Sequence, residues 1–142
     1  MRVLVCGGRD YEDRERVFDT LNEIHSGRPI TLIIQGGATG ADYFAKAWAM
    51  LLGIEVKQYD AQWDNLDVNP VLIRFRKGKA YNALAGGTRN QLMLDEGRPD
   101  IVVAFPGGTG TWDMVKRAYA AKRGTRKELE VIEIREEGWR DG

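Results

Sequence analysis

Apolar and polar residues form alternating blocks along the chain, and the blocks predict strands separated by helices. Short apolar runs rich in β-branched residues are typical of parallel strands buried on both faces. Such runs predict strands over residues 2–6, 30–35, 54–59, 101–105 and 129–134. Apolar residues at helical spacing predict helices over 12–25, 41–52 and 112–123, and a shorter helix that begins at residue 88.

Strands that alternate with helices predict an α/β fold, a Rossmann-like doubly wound parallel sheet of about five strands with helices on both faces. In the strand order 3-2-1-4-5, the loops after strands one, two and four are neighbours at the carboxyl edge, where ligands bind in open sheets. We expect a single domain over residues 1–142, with an insertion at about 62–87 and a charged tail at about 135–142 that frays.

Three local features complete the predicted architecture. Residues 71–76 alternate well enough for an extra edge strand, which makes residues 77–79 a loop. Thr88 to Gln91 match a capping box, in which the Gln91 side chain reaches back to the Thr88 amide. Asp10, after the first strand, is interpreted as a cap of the first helix.

Composition narrows the class of protein. The chain has 142 residues, and its 21 basic and 21 acidic side chains cancel, which argues against non-specific nucleic-acid binding. No stretch resembles a signal peptide or approaches the roughly 20 apolar residues of a membrane span, so we expect a cytoplasmic setting. With Cys6 the only cysteine and His25 the only histidine, we expect no metal site, and we expect no required cofactor.

Glycine-rich segments follow three of the predicted strands, at residues 7–10, 36–42 and 106–111. A strand, a glycine-rich turn and a helix start place free backbone N–H groups around a small hollow, which is a geometry that binds anions. None of the segments has the lysine of a Walker A motif or the G-x-G-x-x-G dinucleotide pattern. We expect Gly107, Gly108 and Gly110 to let a phosphate lie against the backbone.

Several polar side chains accompany these glycines, and each leaves two roles open. Arg9 suits a phosphate contact or a surface ion pair, and Asp42 suits a capping partner for Thr39 or a contact with a ligand hydroxyl. Trp63 suits stacking on a base or burial at an interface. The predicted ligand-binding residues are Gly7, Gly8, Arg9, Gly36, Gly37, Thr39, Gly40, Asp42, Trp63, Arg89, Asn90, Pro106, Gly107, Gly108, Thr109, Gly110 and Thr111.

Arg89 and Asn90 stand where the short helix is predicted to begin, and a cation there is unfavourable unless an anion is nearby. We interpret them as ligand contacts and Met93 as a core residue. Thr109 and Thr111 have two open roles, as helix caps or as hydroxyl donors to phosphate. Asp42 and Arg89 are the candidates for a catalytic role.

The glycine-rich segments, Trp63 and the Arg89-Asn90-x-x-Met93 motif occur in an order that resembles the SLOG superfamily of LOG/DprA-like, Rossmann-like domains. The resemblance is greatest to its YspA/cpYpsA-related branch and spans about Val3 to Ala121. It implies a pocket for a nucleotide or nucleotide-derived, ADP-ribose-like ligand, in a protein that acts as a sensor or scavenger. It also implies a homo-oligomer, a dimer or higher.

Two other activities of the superfamily stay open. LOG enzymes hydrolyse the N-glycosidic bond of a nucleoside monophosphate, and their signature is Pro-Gly-Gly-x-Gly-Thr-x-x-Glu with a separate arginine. Residues 106–111 match and Arg89 suits the arginine, but Met114 stands at the glutamate position, which leaves Asp42, Asp10 and Asp113 as the nearby carboxylates.

DprA-like relatives imply binding of single-stranded DNA. The only support here is the basic stretch over residues 74–79, which we interpret as charges that protect an edge strand or solvated loop.

Overall fold

The computed structural model describes residues 1–135. Eleven helices and strands follow one another along this part of the chain. They are β1 (Arg2–Cys6), α1 (Arg14–Gly27), β2 (Leu32–Gln35), α2 (Ala41–Leu52), β3 (Glu55–Gln58), β4 (Ile73–Arg76), β5 (Lys79–Asn82), α3 (Ala85–Asp95), β6 (Ile101–Ala104), α4 (Thr109–Arg123) and β7 (Glu130–Glu133). Of the predicted tail over 135–142, all but residue 135 lies outside the described residues.

The central sheet has five parallel strands in the order β3-β2-β1-β6-β7. Because β6 and β7 are the fourth and fifth strands of this sheet, the predicted order 3-2-1-4-5 is confirmed. The order reverses direction between β1 and β6, which are paired neighbours. The loops that leave the carboxyl ends of β1, β2 and β6 therefore meet at the switch point of the sheet.

Helices cover both faces of the sheet because consecutive strand residues point to opposite sides. On one face, Val3 lies in a buried cluster with Trp48 of α2. On the other, Leu4 lies in a buried cluster with Met93 of α3 and Met114 of α4. The Rossmann-like doubly wound α/β class is confirmed, and Met93 is a core residue as predicted, with 2% of its surface exposed.

Two strand predictions need correction. The second strand begins at Leu32 instead of residue 30, because the Ile30 amide donates to Nδ1 of His25 at 2.9 Å instead of joining the sheet. The expected extra edge strand is β4, but it pairs antiparallel with β5 in a separate two-stranded sheet. Lys77 and Gly78 form the two-residue turn with φ values of 51° and 77°, which is the geometry that tight hairpins prefer.

The predicted capping box at Thr88 is wrong, because α3 already begins at Ala85. Two glycines in the first turn allow this early start through close packing. A β-carbon at Gly86 would lie 3.0 Å from the indole ring of Trp63, and one at Gly87 would lie 2.7 Å from the guanidinium of Arg117. Tertiary contacts thus compensate for the low helix propensity of glycine.

The helix starts near the glycine-rich segments also differ from prediction. The cap of α1 is Asp13, whose carboxylate accepts from the Arg16 amide at 2.9 Å, so Asp10 does not cap it. The helices α2 and α4 have glycine at the cap position and no side-chain cap, which excludes capping by Asp42, Thr109 or Thr111.

Candidate functional site

The loops after β1, β2 and β6 enclose a crevice of about 600 Å³ at the carboxyl edge of the sheet. Residues of α3 form one more side of it, through Arg89, Asn90 and Met93. This is the place that the strand order predicts for a ligand in an open α/β sheet. Its volume is in the range of small-molecule sites, roughly 300 to 1,000 Å³.

Three glycines hold the loops against one another. A β-carbon at Gly7 would lie 2.6 Å from the β-carbon of Ala41, and one at Gly107 would lie 2.6 Å from the amide nitrogen of Gly8. A β-carbon at Gly40 would lie 2.8 Å from the carbonyl oxygen of Arg9 and closer still to that of Gly8. The loops therefore approach one another closely because these side chains are missing.

Two other glycines face open space. A β-carbon at Gly108 or Gly110 would meet nothing within 4 Å, and both residues line the crevice. They belong to the start of α4, where the amide N–H groups of residues 108–111 have no hydrogen-bond partner within residues 1–135. Because the positive end of a helix dipole adds to these free donors, this turn favours an anion.

Arg9 adds a positive charge to the same crevice. The residue is exposed and lines the crevice, and within residues 1–135 its guanidinium has no hydrogen bond or ion pair. The surface ion pair that competed with a phosphate contact is therefore not formed among the described residues. Its planar fork of donors remains available for a bidentate contact with an anion.

Asp42 and Arg89 flank Gly36 from two sides. One carboxylate oxygen of Asp42 accepts from the amides of Gly36 at 3.1 Å and Ala38 at 3.2 Å. Nη1 of Arg89 donates to the carbonyl oxygens of Gly36 at 2.8 Å and Tyr59 at 3.2 Å. Gly36 leaves the space for both, because a β-carbon there would lie 2.7 Å from Nη1 of Arg89.

The second carboxylate oxygen of Asp42 is buried and has no hydrogen-bond partner within residues 1–135. An unpaired buried acceptor is costly to the folded state. Burial raises the pKa of Asp42 from 3.8 to about 6, although the Ala38 amide, the charge of Arg89 and the Gly36 amide oppose the shift. The folded protein therefore holds this proton to a higher pH than the unfolded chain does.

We predict that Asp42→Asn increases the free energy of unfolding at pH 7 by up to about 3 kcal/mol. Asparagine keeps an acceptor for the two loop amides and removes the buried charge. The Asp42 carboxyl destabilises the fold progressively between about pH 4 and pH 6, because the unfolded chain has already lost the proton there. Urea unfolding of both proteins at pH 4, 5, 6 and 7 measures the difference. A difference that does not grow over this range would contradict the assignment.

Two apolar residues and one thiol complete the inner wall. Val5, Cys6 and Met93 line the crevice, although the sequence predicts Cys6 and Met93 only as core residues. Burial, with a smaller contribution from the charge of Asp42, raises the pKa of the Cys6 thiol far above its usual range, so it stays protonated. Within residues 1–135, no group of acidic, cysteine or histidine side chains is arranged to hold a metal ion.

Most predicted ligand residues lie together at the crevice. Those that line it are Gly7, Gly8, Arg9, Gly36, Asp42, Arg89, Asn90, Pro106, Gly107, Gly108, Thr109, Gly110 and Thr111. Asp10, Tyr11 and Ala38 also line it and are absent from the predicted set. The position of Tyr11 and Ala38 within or directly after the glycine-rich segments is the signal that could have included them.

Four predicted ligand residues lie elsewhere. The Thr39 hydroxyl donates to the carbonyl oxygen of Arg9 at 2.8 Å, and Gly40 packs on the same loop. Gly37 faces away from the crevice, since a β-carbon there would lie 2.5 Å from a carboxylate oxygen of Asp60. Trp63 packs on Gly86 and is not part of the crevice, so it has no stacking role there.

Of the three carboxylates considered for bond cleavage, two line the crevice and one does not. Asp42 and Asp10 line the crevice. Asp113 does not, because its carboxylate accepts from Asn90 at 3.0 Å and from Nε of Arg117 at 2.8 Å. Met114, at the position of the LOG glutamate, is fully buried between α4 and the sheet and presents no group to the crevice.

Fold and crevice together define a doubly wound α/β protein with a glycine-rich crevice at its switch point. Residues 1–65 match the model of the YspA, cpYpsA-related SLOG family, and the chain belongs to this family. It is also similar to the Gene 61 protein of Mycobacterium phage D29, with 32% identity over 123 residues, which cover 84% of this chain and 90% of the phage protein. Membership suggests a nucleotide-related binding role or a LOG-like role. Among residues 1–135, no helix combines the length and apolar composition needed to cross a membrane.

Proposed function

We propose that the crevice binds a nucleotide or nucleotide-derived ligand, such as an ADP-ribose-like molecule, with a phosphate at the start of α4. The observation that carries the proposal is the set of amide N–H groups over residues 108–111, which, like the Arg9 guanidinium in the same crevice, have no partner among residues 1–135. A phosphate offers several acceptor oxygens and a negative charge, which match these donors and the helix dipole.

The sugar of such a ligand has a partner in Asp42. Asp42 lines the same crevice as the α4 start, and its carboxylate is an acceptor for a ribose hydroxyl. Arg89 supports this carboxylate indirectly, because it holds the backbone of Gly36 from the opposite side. A ligand that carries both a phosphate and a ribose can contact the start of α4 and Asp42 at the same time.

The test is titration calorimetry with AMP, ADP-ribose and adenosine. We expect AMP and ADP-ribose to bind at least 100-fold more tightly than adenosine, because loss of about 2.7 kcal/mol of phosphate contacts corresponds to that factor. Higher salt should weaken AMP binding, since the Arg9 contact lies at an exposed site. Equal affinities for AMP and adenosine, or no binding of any of the three, would contradict the proposal.

Asp42 also favours a second candidate, a LOG-like hydrolase that cleaves the N-glycosidic bond of a nucleoside monophosphate. A carboxyl that is partly protonated near pH 6 can act as a general acid or base at a reacting bond. This activity predicts release of adenine and ribose 5-phosphate from AMP, with loss of the release in Asp42→Asn while AMP still binds. Intact AMP after prolonged incubation would leave binding as the function.

A further inference from the structure

A second cavity of about 440 Å³ lies beside the crevice, between the end of β3, the segment that leads to the β4–β5 hairpin, and α3. Arg89 lines both cavities, so the two are adjacent at its side chain. The sequence predicts no role for this cavity, because its walls come from the insertion at about 62–87 and from the end of β3.

Asn82 presents a free donor at this cavity. Only 2% of the surface of Asn82 is exposed, and the residue lines the cavity. Its side-chain oxygen accepts from the amides of Leu72 at 3.2 Å and Leu84 at 3.0 Å, which fixes the orientation of the carboxamide. The amide nitrogen, Nδ2, then has no partner within residues 1–135 and is available to an acceptor on a ligand.

A chain of hydrogen bonds links the second glycine-rich loop to the same cavity. The Gly37 amide donates to the side-chain oxygen of Gln35, and Nε2 of Gln35 donates to Gln58 at 2.8 Å. Nε2 of Gln58 donates in turn to Asp60 at 2.9 Å. Gln58 and Asp60 line the cavity, so their polar edges are held in place by the loop that also carries Asp42.

The remaining walls mix the polar side chains of Gln62, Asn69 and Thr88 with apolar ones that are partly exposed. Val68 and Leu92 line the cavity with 38% and 45% of their surface exposed. Apolar walls with a few fixed hydrogen-bonding groups are typical of sites for planar heterocycles. The guanidinium of Arg89 adds a planar cationic surface on the side of the crevice.

We propose that this second cavity binds the heterocyclic base of the nucleotide whose phosphate lies at the start of α4. This inference rests on the proposed function and adds the base as a second recognition element. Nδ2 of Asn82 donates to a ring nitrogen or carbonyl oxygen of the base, Leu92 and Val68 contact its faces, and Arg89 lies at the junction with the sugar.

The test compares AMP with ribose 5-phosphate, which lacks the base, on the wild-type protein and Thr88→Trp. Thr88 is exposed and lines the second cavity but not the crevice, so the indole fills the base site and leaves the phosphate site intact. We expect wild type to bind AMP at least 10-fold more tightly than ribose 5-phosphate. In Thr88→Trp the affinity for AMP should fall to that for ribose 5-phosphate, which itself changes less than twofold.

Asp95→Trp is the matched control, because it places the same indole on an exposed position of α3 outside this cavity. Its affinity for AMP should stay within twofold of wild type. A second variant, Asn82→Asp, keeps an acceptor for the amides of Leu72 and Leu84 but replaces the free donor. It should lower the affinity for AMP at least 5-fold and leave the affinity for ribose 5-phosphate unchanged.

The outcomes separate the two proposals. Equal wild-type affinities for AMP and ribose 5-phosphate, or an unchanged affinity for AMP in Thr88→Trp, would overturn the base site and leave the phosphate site standing. A wild-type protein that binds neither compound would overturn the proposed function and this inference with it.

Discussion

Gly108→Leu is expected to lower the affinity for AMP at least 100-fold while the protein keeps its fold. A β-carbon at Gly108 meets nothing within 4 Å and φ is −98°, outside the left-handed range, so there is room for a side chain here. The leucine side chain then fills the space in front of the free amides of residues 108–111, where the phosphate is proposed to lie. A 100-fold loss corresponds to about 2.7 kcal/mol, which is the size of several charge-assisted hydrogen bonds.

Calorimetric titration with AMP measures this effect, and circular dichroism with urea unfolding checks the fold. Gly27→Leu is the matched control, because a β-carbon at Gly27 also meets nothing within 4 Å and the residue lies at the end of α1, outside the crevice. We expect the control to bind AMP like wild type. A Gly108→Leu protein with unchanged affinity would place the phosphate elsewhere.

We expect Gly40→Ala to lower the free energy of unfolding by about 3 kcal/mol or more, which is the largest loss of stability among the variants described. The φ value of 75° is unfavourable for alanine, and its β-carbon would collide with the carbonyl oxygens of Gly8 and Arg9. The loops after β1 and β2 must then separate, which also disturbs the crevice. Urea unfolding followed by circular dichroism measures the change.

Gly53→Ala isolates the contribution of loop packing. Gly53 has a similar φ of 69°, but a β-carbon there would meet nothing within 4 Å, so alanine adds only the backbone strain of about 1 kcal/mol. The excess loss in Gly40→Ala is the cost of pushing the two loops apart. Equal losses in the two variants would show that the close approach at Gly40 does not stabilise the fold.

The order of the central sheet could be predicted because its signals are local and strong. Continuous apolar runs mark the strands, and the handedness of the crossovers leaves few arrangements. The hairpin and the start of α3 could not be predicted in the same way. The turn at Lys77 and Gly78 lacks the usual Asn-Gly signal, and α3 starts at Ala85 because Trp63, more than 20 residues earlier, packs on Gly86.

The location of the candidate site could also be predicted, because it follows from strand order and from glycines adjacent in sequence. The separate roles of those glycines could not, because they depend on distances between loops. Gly40 and Gly107 pack against the first loop, whereas Gly108 faces the crevice. The sequence places Arg89 at a helix start, whereas it lies one turn inside α3, where it lines the crevice and donates to the carbonyl oxygens of Gly36 and Tyr59.

The central claim is that backbone amides at the start of α4 bind a phosphate. The most direct measurement is the amide ¹H–¹⁵N NMR spectrum of the uniformly labelled protein during titration with AMP. We predict that the largest shifts fall on the amides of residues 108–111 and of Arg9, and that Gly27 does not shift. No shifts, or shifts confined to the β4–β5 hairpin, would contradict the claim.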